Sequence, residues 1–158
     1  MDDTILVYNE ISKNSNIKYE YDHKLNSLIC DRILFTPFQF PFNYGFIPNT
    51  LSGDGDPLDV IIFMDQPLVS GCYIKCRIIG GLDTSDEKGQ DHKIIVVPID
   101  KVSPMEKDIK TINDLPKIFI EKIKYFYKHY KDLENKEVII GDLMNKETAY
   151  NIYKSSII

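Results

Sequence analysis

The 158-residue chain has no tryptophan and only three cysteines. None of the cysteines forms a Cys-x-x-Cys pair, which excludes a zinc knuckle or dithiol redox motif. Cys72 and Cys76 stand four apart, so an extended strand separates them by roughly 13 Å at about 3.3 Å per residue, too far for a disulfide. Cys30 is remote from both, and all three are expected to be buried free thiols. No apolar run approaches the ~20 residues needed to span a bilayer. The opening "MDDTILVYNE" carries acids where a signal peptide carries a basic segment. These absences predict a soluble, cytoplasmic protein with no membrane partner. An excess of basic residues is also lacking: the formal net charge is −5, which argues against a broad nucleic-acid surface. Repeats, low-complexity segments and linkers are absent too, so residues 1–158 are expected to form a single domain.

What is present reads mostly as short strands. "IKYEYD" (17–22) alternates apolar or aromatic with charged residues, the period of a half-buried strand, and sets Lys18 and Glu20 on one face. "SLICDRILF" (27–35) follows a turn; a regular strand there puts Arg32 on the face of Leu28 and Cys30. "TILVYNEI" (4–11) and "CYIKCRIIGGL" (72–82) read as further strands, and "DVIIFM" (59–64) and "KIIVVPI" (93–99) as fully buried ones. The stretch 35–57, rich in proline, glycine and aromatics, reads as a long ordered loop. The period then changes. Leu115, Phe119, Ile123, Phe126, Tyr127 and Tyr130 share one face of a helix over 113–133, capped by Asn113 or Asp114 with Pro116 in its first turn. A shorter helix is expected over 146–154. The fold class is α+β, mainly β, with a small closed or nearly closed barrel.

Two acidic clusters carry the chemistry. "DGDPLDV" (54–60) sets Asp54, Asp56 and Asp59 around Gly55 and Pro57. A polar turn explains Asp-Gly alone, and an EF-hand does not fit, because its fifth and sixth positions fall on Leu58 and Asp59. "LDTSDEKGQDHK" (82–93) is a hairpin tip by its turn chemistry, yet Asp91 and Lys93 share a face at the start of a buried strand. So many hard oxygen donors suit Mg²⁺ or Mn²⁺ rather than zinc, and His23, His92 and His129 have no ligand spacing. Tyr44 needs a partner for its hydroxyl if buried. Tyr130 and Lys131 read as a core aromatic beside a cation at the end of the long helix.

The set of motifs resembles the soluble family I inorganic pyrophosphatases of bacterial type. The likeness runs in order through "IKYEYD", "DRIL", "FNYGFIPNTLSGDGDPLDV", "GCYIKCRIIGGL", "TSDEKGQDHKIIVVP" and "INDLP…FYKHYKDLE", roughly residues 4–137. It implies a five-stranded OB-like β-barrel with two C-terminal helices packed outside. It implies hydrolysis of inorganic pyrophosphate to two phosphates by a metal-activated water, with several Mg²⁺ ions and Mn²⁺ as an alternative. By the resemblance, Asp54, Asp59 and Asp91 match the principal metal ligands, Asp86 a ligand for a metal arriving with substrate, and Glu10 and Glu20 the acids holding outer metals or waters. Asp56 matches the general base. Lys18, Arg32, Tyr44, Lys93, Tyr130 and Lys131 match the phosphate-binding groups. Seven carboxylates against four cations leave three uncompensated negative charges, so divalent ions are needed before a pyrophosphate anion is attracted. A homo-oligomer, a hexamer by resemblance, is implied as well.

The sequence also departs from that pattern. Phe40 stands where most bacterial members have tyrosine, "NKEVIIGDL" lacks the usual tryptophan, and Ile11-Ser12 replaces a common Ile-Pro. The rival reading is a non-catalytic OB-like module binding nucleic acid or sugar, which would interleave basic and aromatic residues on exposed strands. The chain instead retains every acid of the family pattern.

Overall fold

The computed structural model describes residues 3–158. Eight strands and two α-helices follow in chain order: β1 (Thr4–Ile11), β2 (Ile17–Asp22), β3 (Ser27–Ile33), β4 (Asn43–Ile47), β5 (Leu58–Ile62), β6 (Tyr73–Asp86), β7 (Gly89–Pro98), α1 (Lys117–His129), β8 (Ile139–Met144) and α2 (Lys146–Ser156). The main sheet runs β1-β4-β5-β7-β6-β8, and β1 also pairs with β6. Five strands therefore close into a ring, which is the expected barrel. All ring pairings are antiparallel except β5–β7, which is parallel. The 14-residue β6 serves two partners. Thr4–Tyr8 of β1 pair along its first half, and β8 pairs along its second.

The period-2 pattern splits the barrel strands between two cores. Val60, Ile62, Ile94 and Val96 join Ile5, Val7, Ile74, Cys76 and Ile78 in one cluster drawn from the barrel strands, with Ala149 of α2 packed in. Their sequence neighbours Ile61, Ile95 and Val97 face the other way, against Phe40, Phe42, Ile123, Phe126 and Tyr127. Strands buried on both faces read as continuous apolar runs for this reason. The ring of Phe126 lies within 4.8–5.7 Å of those of Phe40, Phe42, Tyr127 and Tyr130, stacked on Tyr130 and edge-on to Phe42 and Tyr127.

Several expectations are corrected. The stretch 35–57 is not all loop: β4 lies inside it and every one of its residues is buried. Gly45 explains why the strand is so hard to see. A Cβ there would stand 1.7 Å from the carbonyl oxygen of Tyr8, so the β1–β4 approach requires a residue of poor strand propensity. β8 went unrecognised because four of its six residues are exposed and its alternation is broken by Gly141 and Asp142. α1 is shorter than 113–133. Leu115 precedes Pro116 and is held extended (φ −72°, ψ 143°), so Asn113 and Asp114 sit in a separate 3₁₀ turn capped by Thr111, and Pro116 is the N-cap. The helix stops at Tyr130, and a 3₁₀ turn ends on Asn135 in the left-handed region (φ 57°). The cysteines are free, but only Cys76 is buried; Cys30 is exposed on the outer hairpin and Cys72 is intermediate.

The β2–β3 hairpin forms a sheet of its own and carries a bulge. Lys18 pairs with Arg32 and Tyr19 with Cys30, leaving Asp31 as the extra residue. A bulge resets the alternation, so Arg32 shares the face of Lys18 and Glu20, not that of Leu28 and Cys30. The regular period predicted the opposite face.

A buried amide fastens the barrel to the loop after β5. Asn43 Oδ1 accepts from the backbone N–H groups of Lys13 (2.8 Å) and Leu68 (3.0 Å), and its Nδ2 donates to Gln66 O (2.9 Å). The side chain is completely buried. Asn43→Ala strands two backbone donors and one acceptor and is expected to cost about 2–4 kcal/mol, read as a lowered urea midpoint with an unchanged slope.

Candidate active site

One polar cleft gathers side chains from distant parts of the chain. β1 supplies Glu10, β2 supplies Lys18 and Glu20, β4 supplies Tyr44, and the turn before β5 supplies Asp54 and Asp56. Asp59 opens β5, the β6–β7 hairpin brings Asp86, Asp91 and Lys93, and the end of α1 brings Tyr130 and Lys131. Of the side chains singled out from the sequence, only Arg32 does not line this cleft. Its guanidinium is held by Asp31 (2.5 Å) and by Glu134 (3.0 Å).

The deep end is organised by Lys93, which is 5% exposed. Its Nζ donates to Tyr44 Oη (2.6 Å), Asp59 Oδ2 (2.9 Å) and Asp91 Oδ2 (2.6 Å), which uses all three protons of an ammonium. The parallel pairing puts Asp59 directly beside Lys93 in register, and the pleat puts Asp91 on the same face as Lys93. Burial alone lowers the affinity of Lys93 for its proton, but Asp59 and Asp91 reverse this and hold it well above its ordinary value. Burial works against ionisation of Asp59; Lys93 outweighs it and keeps that carboxyl below the usual range. Asp91 is pushed up to about 7 by burial, with Lys93 opposing and Asp59 adding to the rise. Glu10 is likewise pushed up to about 7 by burial, although its Oε2 accepts from the N–H of Tyr21 at 2.8 Å.

The turn holding Asp54 and Asp56 is locally wired. Gly55 takes a positive φ of 87°, which a glycine adopts without strain, and its N–H donates to Ser52 O (3.0 Å). Asp54 Oδ1 accepts from the N–H of Asp56 (3.0 Å). Burial and the neighbouring Asp54 raise the proton affinity of Asp56, while Lys88 lowers it. At the hairpin tip, Asp86 Oδ1 accepts from the N–H of Lys88 (2.9 Å) and Oδ2 from Lys131 Nζ (3.5 Å).

Lys88, Tyr127 and His23 are among the lining residues that the sequence reading did not place here. Lys88 forms no ion pair among the described residues, and its place on a hairpin tip gave no hint that it faces the cleft. Tyr127 looked like an ordinary core position of the helix; it lines the cleft floor, with the Lys93 ammonium 5.1 Å from its ring centroid. His23 packs against Tyr21 and Phe46 at the cleft wall. The other two histidines serve structure: His92 bonds to Asp83 and His129 to Asp132.

A sequence model of the inorganic pyrophosphatase family matches residues 7–158. This chain belongs to the inorganic pyrophosphatase family. It is 45% identical to the inorganic pyrophosphatase of Helicobacter pylori over 156 residues, covering 98% of this chain and 90% of that one. It is 46% identical to the inorganic pyrophosphatase of Nanoarchaeum equitans, covering 96% and 94%. The solved structure of the Helicobacter pylori enzyme superposes with a TM-score of 0.96 over 98% of this chain and 92% of that one. The Thermus thermophilus inorganic pyrophosphatase, at 33% identity, gives 0.94 over 98% and 90%. The barrel with its two helices is the fold of this family.

The donor set fits the divalent cation that inorganic pyrophosphatases generally use. Among the described residues, no three carboxylates, imidazoles or thiols stand together as a ready-made cage. Mg²⁺ does not require one, because it keeps several waters and takes only one or two carboxylates. Asp59 and Asp91 could supply them: they converge on the same ammonium, with further carboxylates around the cleft. Lys93 in turn offsets part of the charge of both acids. Lys93→Met leaves them half-buried and unpaired and is expected to cost about 3 kcal/mol, measured by urea unfolding. Adding Asp91→Asn should recover part of that loss.

Proposed function

We propose that this cleft carries out the family's reaction, hydrolysis of inorganic pyrophosphate to two phosphates, with Asp56 as the base toward the attacking water. The chain is thereby an inorganic diphosphatase. The observation that carries the reading is the convergence of Asp59 and Asp91 on Lys93 at the deep end of a cleft lined by five further carboxylates. Asp54, Asp59 and Asp91 would hold Mg²⁺, Asp86 a further ion, and Glu10 and Glu20 outer ions or their waters. Mn²⁺ has similar oxygen preferences and is the alternative metal. When bound, such ions supply a water of lowered pKa and offset phosphate charge.

The chain's own groups do the rest. Water oxygen bonds to one phosphorus as the bridging P–O bond breaks. Asp56 accepts the water's proton at a carboxylate oxygen, and the departing phosphate keeps the bridging oxygen with its electron pair. The raised proton affinity of Asp56 makes it the better base for this. Lys18, Lys93 and Lys131 offer point charges to phosphate oxygens, Tyr44 and Tyr130 offer hydroxyls, and Arg32 a bidentate fork. Arg32 must exchange Asp31 or Glu134 for phosphate to do so.

We further propose that the whole chain works as one domain in the cytoplasm and assembles as a homo-oligomer, a hexamer by its bacterial resemblance. Among the described residues no helix is long and apolar enough to cross a membrane. Nucleic acid is not a partner in this reading, given the acidic cleft and net charge. Phosphate release from pyrophosphate is expected with Mg²⁺ and to vanish with chelator. Asp56→Asn should lower kcat by about 10²-fold or more with an unchanged urea midpoint. A well-folded wild type without Mg²⁺-dependent release overturns the enzyme reading, whereas an unaffected Asp56→Asn removes only the base assignment.

A further inference from the structure

Tyr127 carries a hydroxyl that the fold does not use. The residue is 2% exposed, and its oxygen finds no hydrogen-bond partner among the described residues. Buried hydroxyls are normally paired, and an orphan calls for an explanation. Neighbouring phenols do not share its condition: Tyr44 Oη accepts from Lys93 at 2.6 Å. Packing needs only the ring of Tyr127, which stacks on Phe42 at 5.7 Å and meets Tyr130 edge-on at 5.7 Å. A phenylalanine would serve both contacts.

The location of the orphan suggests its partner. Tyr127 lines the floor of the cleft, beneath the ammonium of Lys93. Burial raises the proton affinity of the phenol well above its ordinary value, so it stays a neutral O–H donor, and Lys93, Tyr130, Asp59 and Asp91 are the groups that act on it. Phe40, on the same wall, brings no hydroxyl. A tetrahedral oxyanion that displaces a carboxylate from Lys93 presents more than one oxygen, and the phenol of Tyr127, lining the same cleft, is an unspent donor.

We infer that Tyr127 is a substrate-binding residue whose hydroxyl donates to a phosphate oxygen held at Lys93. This rests on the proposed function of the cleft and adds to it a phosphate contact supplied by the interior of α1. The hydroxyl is kept unpaired in the folded chain and is satisfied when phosphate arrives. Its cost to stability and its use in binding therefore go together, which gives the substitution two opposite signatures.

The test is Tyr127→Phe, with inorganic phosphate as the binding probe. Without ligand, the variant should melt at the wild-type temperature or above it, because a buried orphan is removed while the ring remains. The thermal shift produced by phosphate with Mg²⁺ should shrink, and kcat/KM for pyrophosphate should fall about 10-fold, the effect of one hydrogen bond to a charged acceptor. A variant that melts lower, or fails to fold, overturns the inference, since the hydroxyl then has a structural partner. A variant with undiminished phosphate shift and kcat/KM overturns it as well. Wild type that neither binds phosphate nor releases it from pyrophosphate would instead overturn the reading of the cleft itself.

Discussion

A single ammonium, that of Lys93, holds the deep end of the cleft together. It is buried, it makes three hydrogen bonds, and its partners come from three separate strands: Tyr44 from β4, Asp59 from β5 and Asp91 from β7. Remove it, and two carboxylates are left facing each other in a place of low polarity. The barrel exists in part to make this juxtaposition possible. β5 and β7 run parallel, so the polar starts of both strands fall at the same end of the barrel. Their later residues, Val60 to Ile62 and Ile94 to Val97, are free to be entirely apolar. Chemistry and core thus occupy successive segments of the same strands.

Charge balance in the cleft follows from that arrangement. Lys93 is committed to two aspartates, Lys131 leans toward Asp86, Lys18 toward Asp31, and Arg32 is shared by Asp31 and Glu134. Almost every cation near the site is already engaged by a protein carboxylate. In the proposed reaction, phosphate binding would therefore begin with exchange of partners, in which phosphate oxygens replace aspartate and glutamate oxygens around the cations. Groups with nothing to give up, the ammonium of Lys88 and the phenol of Tyr127, stand apart from this exchange.

Much of the barrel was legible in the sequence. β1, β5, β6 and β7, with β2 of the separate hairpin, announce themselves by alternation or by uninterrupted apolar runs. What was hidden was hidden by local geometry. Gly45 conceals β4 because the close approach of Tyr8 O forbids a side chain. The bulge at Asp31 turns Arg32 to the other face, a displacement of one residue that no count of apolar positions reveals. The acids of "DGDPLDV" were evident as a cluster, and the resemblance supplied their roles. Their meeting with Asp91, across a parallel pairing between strands more than thirty residues apart, depends on topology that local pattern does not encode.

The parallel ladder of β5 and β7 has one more consequence. Asp59 pairs with Lys93, Val60 with Ile94, Ile61 with Ile95 and Ile62 with Val96. Sliding either strand by one residue would exchange which residues face the two apolar clusters, setting side chains fitted to one interior against the other, and would carry Asp59 out of register with Lys93. The ladder that packs the two interiors therefore also sets the alignment of acids and ammonium in the cleft.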